Sequence, residues 1–244
     1  MRKFLISVAA GAVLVAAPAL AADIPEYPPI DIPPVDYDVG GSFYLRGSAA
    51  VDLHWARTVT HPEIDESYET NQYGYGYSVG AGFGYETGTG LRFDGTIDQI
   101  ETRGLRITKD GVSPDADGDY TLMLRSTLAL ANVYYDFNLG GGGYGYSDSG
   151  AFAYVGAGAG VAWNHAEVNS PDTYPVQTGG NVSAAAAVMV GMGYDMGTWV
   201  ADVGYRGIYI NQVNNAPTAN PDSYYEVDHN FIHELRSTVR YRFN

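Results

Sequence analysis

The sequence predicts an all-β protein, an eight-stranded antiparallel transmembrane β-barrel with up-and-down (meander) connections. Apolar and polar residues alternate with a period of two along most of the chain, which is typical of strands. The 244 residues include 31 Gly and 21 Tyr but only 8 Phe and no Cys. This composition suits a barrel with a small-residue interior and aromatic girdles. No apolar run after residue 22 approaches the roughly 20 residues of a membrane helix, so membrane residence would require a closed barrel.

The first residues have the pattern of an export signal. Arg2 and Lys3 precede an apolar stretch at 4–17, and Ala19-Leu20-Ala21 is a small-x-small cleavage motif. We therefore expect residues 1–21 to be a cleaved signal peptide, with cleavage after Ala21 or Ala22 left open. Residues 23–40 hold five Pro, five acids and no base, so 22–40 are predicted to be an extended periplasmic arm. The barrel is predicted to occupy residues 41–244.

The first two predicted strands have the length that a bilayer requires. In the strand that starts at Gly41, Phe43 and Trp55 are 12 residues apart on one face. In the second strand (73–86), Tyr73 and Tyr85 have the same spacing. At about 3.3 Å per residue and about 45° of tilt this gives roughly 28 Å of height, close to the apolar band of such barrels. A tight turn with glycines in positive φ follows at 87–90, and then a third strand at 91–101.

The fourth and fifth strands form a hairpin over 121–137 and 151–164, joined by a Gly-rich turn. In the fifth strand the residues from Val155 to Trp163 place an apolar face outward and Gly156, Gly158 and Gly160 inward. In the fourth, Val133, Tyr135 and Phe137 should face outward, but four leucines have the opposite parity. We expect a β-bulge near Ser126 to switch their direction. These leucines are Leu122, Leu124, Leu128 and Leu130.

This hairpin also carries a family resemblance. Asn132-Val-Tyr-Tyr-Asp-Phe, the Gly-rich turn and Tyr154-Val-Gly-Ala-Gly-Ala-Gly-Val-Ala resemble the small outer-membrane β-barrel family of alphaproteobacterial surface antigens. That family is akin to the transmembrane barrels of OmpA and to the opacity proteins. The resemblance covers about residues 41 to 243 and implies an eight-stranded barrel in the outer membrane. It implies no single activity, because members are variously structural, adhesive or weakly pore-forming.

Three further strands, at 182–196, 198–209 and 231–243, complete the barrel. Long connections are predicted at 57–72, 102–120, 165–181 and 210–230, and short ones at 87–90, 138–150 and 197–198. This sorting predicts four surface loops and three periplasmic turns. The residues expected in the aromatic girdles are Phe43, Trp55, Tyr73, Tyr85, Trp163, Trp199, Tyr241 and Phe243.

Charged residues on the inward face should form a nearly balanced network, six acids against five bases. An unpaired charge in a confined interior costs several kcal/mol, so the balance favours a salt-bridged plug, with a charged pore lining as the alternative. The interior glycines leave room that could hold a thread of water. The predicted network is Arg46, Asp52, Glu86, Arg92, Asp94, Asp98, Asp202, Arg206, Glu234, Arg236 and Arg240.

Other motifs are weak. Asp115, Asp117 and Asp119 have calcium-loop spacing, but Tyr120 occupies the position where that loop needs Gly. His233 and Ser237 share one strand face, yet residues i and i+4 of a strand are about 13 Å apart, too far for a hydrogen bond. The histidines, His54 among them, show no metal-ligand spacing and are expected in girdles or loops. We therefore expect no catalytic residue, no metal site and no cofactor.

The sequence predicts an integral outer-membrane barrel protein with a structural and surface-interaction role, in envelope integrity, as a surface antigen or in adhesion. The alternatives are a narrow passive porin and a lipid A-modifying barrel enzyme. Expected partners are outer-membrane lipids and lipopolysaccharide, the outer-membrane assembly machinery, and a host or surface ligand bound by the long loops. The net charge of −15 disfavours nucleic acid. A monomer is expected.

Overall fold

The computed structural model describes residues 40–56, 58–61, 66–109, 118–139, 150–169, 177–215 and 226–243. The predicted signal peptide, almost all of the proline-rich arm, Asp115, Asp117 and most of the Gly-rich turn lie outside these residues. The described chain contains no helix that is long and apolar enough to cross a membrane. Every regular element in it is a β-strand.

Ten strands form one antiparallel sheet that closes on itself. They are β1 (Ser42–Trp55), β2 (Thr58–His61), β3 (Glu66–Gln72), β4 (Gly74–Glu86), β5 (Leu91–Lys109), β6 (Gly118–Asn138), β7 (Gly150–Asn169), β8 (Gln177–Asp195), β9 (Trp199–Asn214) and β10 (Glu226–Phe243). β2 continues β1 and β3 continues β4, so eight strands surround the interior. β1 pairs with β10 from Phe43↔Phe243 to Trp55↔Phe231, which closes the barrel.

The stagger of the barrel follows from the strand register. Starting at Trp55 and stepping from partner to partner once around the barrel returns to Leu45, ten residues earlier on β1. With eight strands about 4.8 Å apart and about 3.3 Å per residue, this stagger gives a strand tilt of about 41°. The path runs through Trp55, Phe231, Tyr209, Ala186, Ala159, Ala131, Gly95, Phe83 and Leu45.

The two ends of the barrel differ. At one end, which we call the turn end, the chain turns at 87–90 and 196–198, and β1 begins and β10 ends there. Gly88 and Gly90 have φ of 76° and 92°, as the predicted tight turn requires. At the opposite loop end the strands run further than predicted. β5 reaches Lys109, β7 reaches Asn169, and β2 and β3 lie within the predicted connection 57–72.

The expected bulge near Ser126 is wrong. β6 keeps one parity throughout, so Leu122, Leu124, Leu128 and Leu130 all point into the barrel, while Val133, Tyr135 and Phe137 point outward. The register of β6 with β7 is continuous from Thr121 to Asn138. The irregularity lies instead on β5, between Thr102 and Leu105, where Gly104 has φ of 80°. The leucines face inward because this part of the interior is itself apolar.

Candidate functional site

All eleven charged residues predicted for the interior are buried there, with 9% or less of each residue exposed. They lie on the inward parity of their strands and extend over ten residues of β1, from the level of Glu86, which pairs with Ser42, to Asp52. Three further charged residues join them: Asp136 on β6, Asp195 on β8 and Arg242 on β10. Each has the same parity as a neighbouring inward residue, so extending the alternation by one step would have identified it.

A first cluster surrounds Asp94. Its Oδ2 accepts hydrogen bonds from Arg46 Nη1 at 2.7 Å and from the Tyr44 hydroxyl at 2.9 Å. Its Oδ1 accepts one from Asn132 Nδ2 at 2.7 Å. Arg46 also donates to the Tyr134 hydroxyl at 2.8 Å. The carboxylate therefore has the charge partner and the hydrogen bonds that a buried ion needs.

A second cluster joins two carboxylates and two guanidinium groups. Arg206 donates to Asp98 Oδ2 at 2.8 Å and to Glu234 through both Nε and Nη2, the latter at 2.9 Å. Arg236 Nη2 donates to Asp98 Oδ1 at 2.7 Å. Ser78 adds a hydrogen bond to Glu234 at 2.8 Å. The two charge signs alternate around this cluster, so each charged group has an opposite charge beside it.

Nearer the turn end, arginines lie against aromatic rings. Arg92 forms two 2.9 Å hydrogen bonds to Asp136, and its guanidinium carbon lies 4.1 Å from the centroid of the Tyr134 ring. Arg240 lies 5.6 Å from the Tyr44 ring centroid and 3.4 Å from Glu86. Cation–π contacts of this kind are strongest where water is excluded.

The interior glycines provide space for these rings. A Cβ added at Gly84 would lie 2.5 Å from Tyr44, and one at Gly156 would lie 2.4 Å from Tyr134. A Cβ at Gly204 would lie 2.4 Å from the hydroxyl of Tyr154. The space that the sequence left open for water at these positions is occupied by tyrosine side chains.

Buried polar side chains such as His54, Ser126 and Asn164 lie towards the loop end together with many aliphatic inward side chains. The aliphatic side chains include the four leucines of β6 together with Ile100, Ile208, Ile210 and Ile232. The barrel interior thus has two parts. The two charged clusters and the arginines near the turn end form what we call the charged layer, and these aliphatic side chains form what we call the aliphatic layer.

Several buried inward polar atoms lack a hydrogen-bond partner within the described residues, and those of Asp52 and His54 lie furthest from the turn end. Asp52 is 3% exposed, and neither of its carboxylate oxygens has a hydrogen-bond partner within the described residues. His54 is also buried inside the barrel, so its expected place in a girdle or loop is wrong. Its Nε2 is 3.0 Å from Asn230 Oδ1, while its Nδ1 has no partner among the described residues.

The outer surface is an apolar belt. All eight predicted girdle residues are exposed, from 37% for Tyr85 to 64% for Tyr73. At the turn end, Phe43 packs on Tyr85 and Trp199 packs on Tyr241, both with ring centroids 4.9 Å apart. At the loop end, the Trp55 and Phe231 rings are 5.9 Å apart. Large exposed side chains of this kind between the rings include Val51, Leu53, Ile97, Val188, Met192 and Leu235.

Sites of other kinds have little support. Within the described part of the chain no group of three or more His, Asp or Glu side chains could hold a metal ion. His233 and Ser237 both face outward, and the Nδ1 of His233 is 2.6 Å from the hydroxyl of Tyr205.

No protein-family model and no curated protein sequence matches the chain. Among solved structures, it is similar to Neisserial surface protein A, with 22% identity, 84% of this chain and 99% of that chain covered, and a TM-score of 0.47. It is similar to the outer membrane protein OprG from Pseudomonas aeruginosa, with 14% identity, coverage of 84% and 96%, and a TM-score of 0.45. It is also similar to Ail, the attachment invasion locus protein of Yersinia pestis, with 15% identity, coverage of 82% and 99%, and a TM-score of 0.39.

Proposed function

We propose that this chain is an integral outer-membrane protein whose barrel is closed by its own side chains and whose role is structural and interactive. A closed barrel satisfies its backbone hydrogen bonds internally, which is the condition for crossing hydrocarbon with strands. The apolar belt supports this placement. Phe43 and Trp55 are 12 residues apart on β1, and at about 3.3 Å per residue and about 41° of tilt they span about 30 Å.

The observation that carries the closed barrel is the charged layer. Its arginines bond to carboxylates across the interior, for example Arg46 to Asp94 and Arg206 to both Asp98 and Glu234. Eight strands enclose a space that side chains just about fill. A conducting pore would need these pairs to separate, which leaves buried charges uncompensated.

The loop end supports a role in contact with other molecules. β5 and β6 pair as far as Lys109↔Gly118, which is eight residues beyond Glu101 on β5 and seven residues before Arg125 on β6. The strands therefore extend past the belt. The acidic composition favours cations and basic segments as partners over polyanions. In the cell, the surface partners would include lipopolysaccharide through bridging cations, or a host molecule.

Conductance in a planar bilayer tests the closed barrel. Refolded protein, with folding confirmed by its mobility on an unboiled gel, should give no reproducible open steps. A triple alanine variant that removes bulk from both interior layers should conduct, whereas a matched variant of outward neighbours should stay silent. The interior set is Leu128, Tyr134 and Tyr154, and the outward set is Val133, Tyr135 and Val155. Open steps in the unmodified protein that change in Arg206→Ala would establish the narrow passive channel instead.

The surface role is tested separately. Cells that express the protein with residues 110–117 or 216–225 deleted should show weaker adhesion to a cationic surface than cells with the full chain. Equal surface levels, measured with an antibody, are the control. Unchanged adhesion in both deletions would contradict a role for the loops.

A further inference from the structure

The outer surface carries a groove that the closed-barrel function does not use. It lies on β8, β9 and β10 and has a volume of about 310 Å³. Gly207 forms its floor, with Ala186 and Val188 beside it. This volume equals about ten water-sized groups at ~30 Å³ each. A segment of one acyl chain is of a size to fit it.

Tyr205, Tyr209 and His233 line the groove, and each of the two tyrosines is paired with a histidine. On one side, the hydroxyl of Tyr205 is 2.6 Å from His233 Nδ1, with the rings 6.0 Å apart. On the other, the hydroxyl of Tyr209 is 2.7 Å from His229 Nδ1, and the Tyr209 ring lies 5.1 Å from that of Phe231. Tyrosine and histidine are thus arranged in the same way twice, four residues apart on both strands.

The backbone at His229 is unusual. Its φ of 53° is the only positive value at a non-glycine residue in the described chain. Such a conformation costs about 1–3 kcal/mol and persists where the surroundings impose it, often at ligand contacts. Here it lies where the partner of β10 changes from β1 to β2, and it places the imidazole on the ring of Tyr209.

His233 lies within the belt. It is two residues closer to the turn end than Phe231, which packs on Trp55, and this corresponds to about 5 Å of depth. Its Nδ1 bonds to Tyr205, and its Nε2 makes no hydrogen bond within the described residues. Hydrocarbon supplies no water to satisfy that nitrogen, so an ionisable group at this depth requires a polar partner.

We propose that this groove binds a 3-hydroxylated acyl chain of lipopolysaccharide in the outer leaflet. The apolar walls hold the chain over Gly207, and His233 Nε2 forms a hydrogen bond with the 3-hydroxyl group of that chain. The complementarity is electrostatic as well as steric, because the polar imidazole edge meets a hydroxyl group that an unsubstituted chain lacks. The inference rests on the proposed membrane placement, with the loop end outward, but not on closure of the interior.

Trp55 provides a reporter, since its ring is 5.9 Å from that of Phe231 at the groove. Of the 3 Trp in the chain, Trp163 and Trp199 are changed to Phe, which leaves Trp55 alone. This protein is folded into vesicles of dibrominated phosphatidylcholine, whose bromines quench tryptophan fluorescence. A diglucosamine lipid with 3-hydroxylated chains, or its analogue with unsubstituted chains, is then titrated in.

The hydroxylated lipid should restore fluorescence at about five-fold lower mole fraction than its analogue, the factor expected for one hydrogen bond. His233→Leu and Tyr205→Phe should abolish this preference. Gly207→Leu, which fills the groove, should weaken displacement by either lipid about ten-fold. The control is Gly95→Leu, because Gly95 also faces outward and its added Cβ would meet nothing within 4 Å.

Equal displacement by the two lipids would overturn the assignment to a hydroxylated chain. Identical behaviour of Gly207→Leu and Gly95→Leu would overturn the groove itself. The outcome is separable from that of the proposed function, because conductance tests the interior and gel mobility tests insertion. A conducting barrel that still prefers the hydroxylated lipid would refute the plug and leave the groove standing.

Discussion

Asp98 and Asp52 are both inward carboxylates, but the same substitution should change stability in opposite directions. Asp98 accepts charge-assisted hydrogen bonds from Arg206 at 2.8 Å and from Arg236 at 2.7 Å. Asp98→Asn leaves these guanidinium groups without a full counter-charge, and breaking a buried pair from one side costs about 3–5 kcal/mol. Asp52 has no hydrogen-bond partner among the described residues and pairs in register with another acid, Glu234. Asp52→Asn should therefore stabilise the barrel by about 1–3 kcal/mol.

Reversible unfolding by guanidinium in lipid vesicles measures both variants at pH 7, with tryptophan fluorescence and unboiled gel mobility as independent probes. The two substitutions are chemically identical and each residue is 3% exposed or less, so they serve as each other's control. The reasoning is refuted if Asp52→Asn destabilises as much as Asp98→Asn. In that case Asp52 would have a hydrogen-bond partner that lies outside the described residues.

Three further predictions concern the packing at two glycines, the direction in which β6 side chains face, and a surface ion pair. Gly156→Ala should lower the free energy of unfolding by about 1–3 kcal/mol, because its Cβ would lie 2.4 Å from the Tyr134 ring. In the same assay Gly95→Ala should change the free energy of unfolding by no more than about 0.5 kcal/mol, because its Cβ would meet nothing within 4 Å. A spin label at a cysteine replacing Arg125 should relax with lipid-soluble oxygen, and one replacing Leu124 should not, because Arg125 is exposed and Leu124 is buried. The reverse result would restore the bulge near Ser126, since a bulge there changes the face of the residues that precede it. Arg103→Ala should leave the unfolding midpoint unchanged, because the ion pair of Arg103 with Glu101 is open to solvent.

Much of the barrel follows from the period-two pattern. Residues two positions apart on a strand face the same side, so parity together with the apolar character of one face placed Phe43 and Trp55 outward and Arg46 inward. The ends of the strands could not be predicted from this pattern. β5 and β6 continue past the belt as a hairpin, and the outward residues of that hairpin need not be apolar. The partner of each arginine did not follow either. It depends on the stagger of ten residues around the barrel, which no single strand encodes.

The leucines of β6 illustrate why hydrophobicity alone misassigned a face. In a membrane barrel both faces can be apolar. The alternation from Leu122 to Leu130 therefore shows which residues share a face, but not whether that face points inward or outward. The direction is set by the neighbours across the ladder. Leu128 pairs with Asp98 on β5 and with Ala162 on β7, and both of these are buried. Reading Asp98 as an inward residue would have fixed the direction of Leu128 without any bulge.

The two interior layers bear on the proposed closed barrel, because each would hinder the passage of a different class of solute. An ion that enters from the loop end would meet the aliphatic layer, whose apolar side chains cannot replace its hydration shell. An apolar solute that passes Leu128 and Ile208 next meets Arg206 and its carboxylates, whose hydrogen bonds it cannot replace. Either layer alone would select one class of solute. The proposed closed barrel relies on both layers together, and the conductance of the unmodified protein tests it.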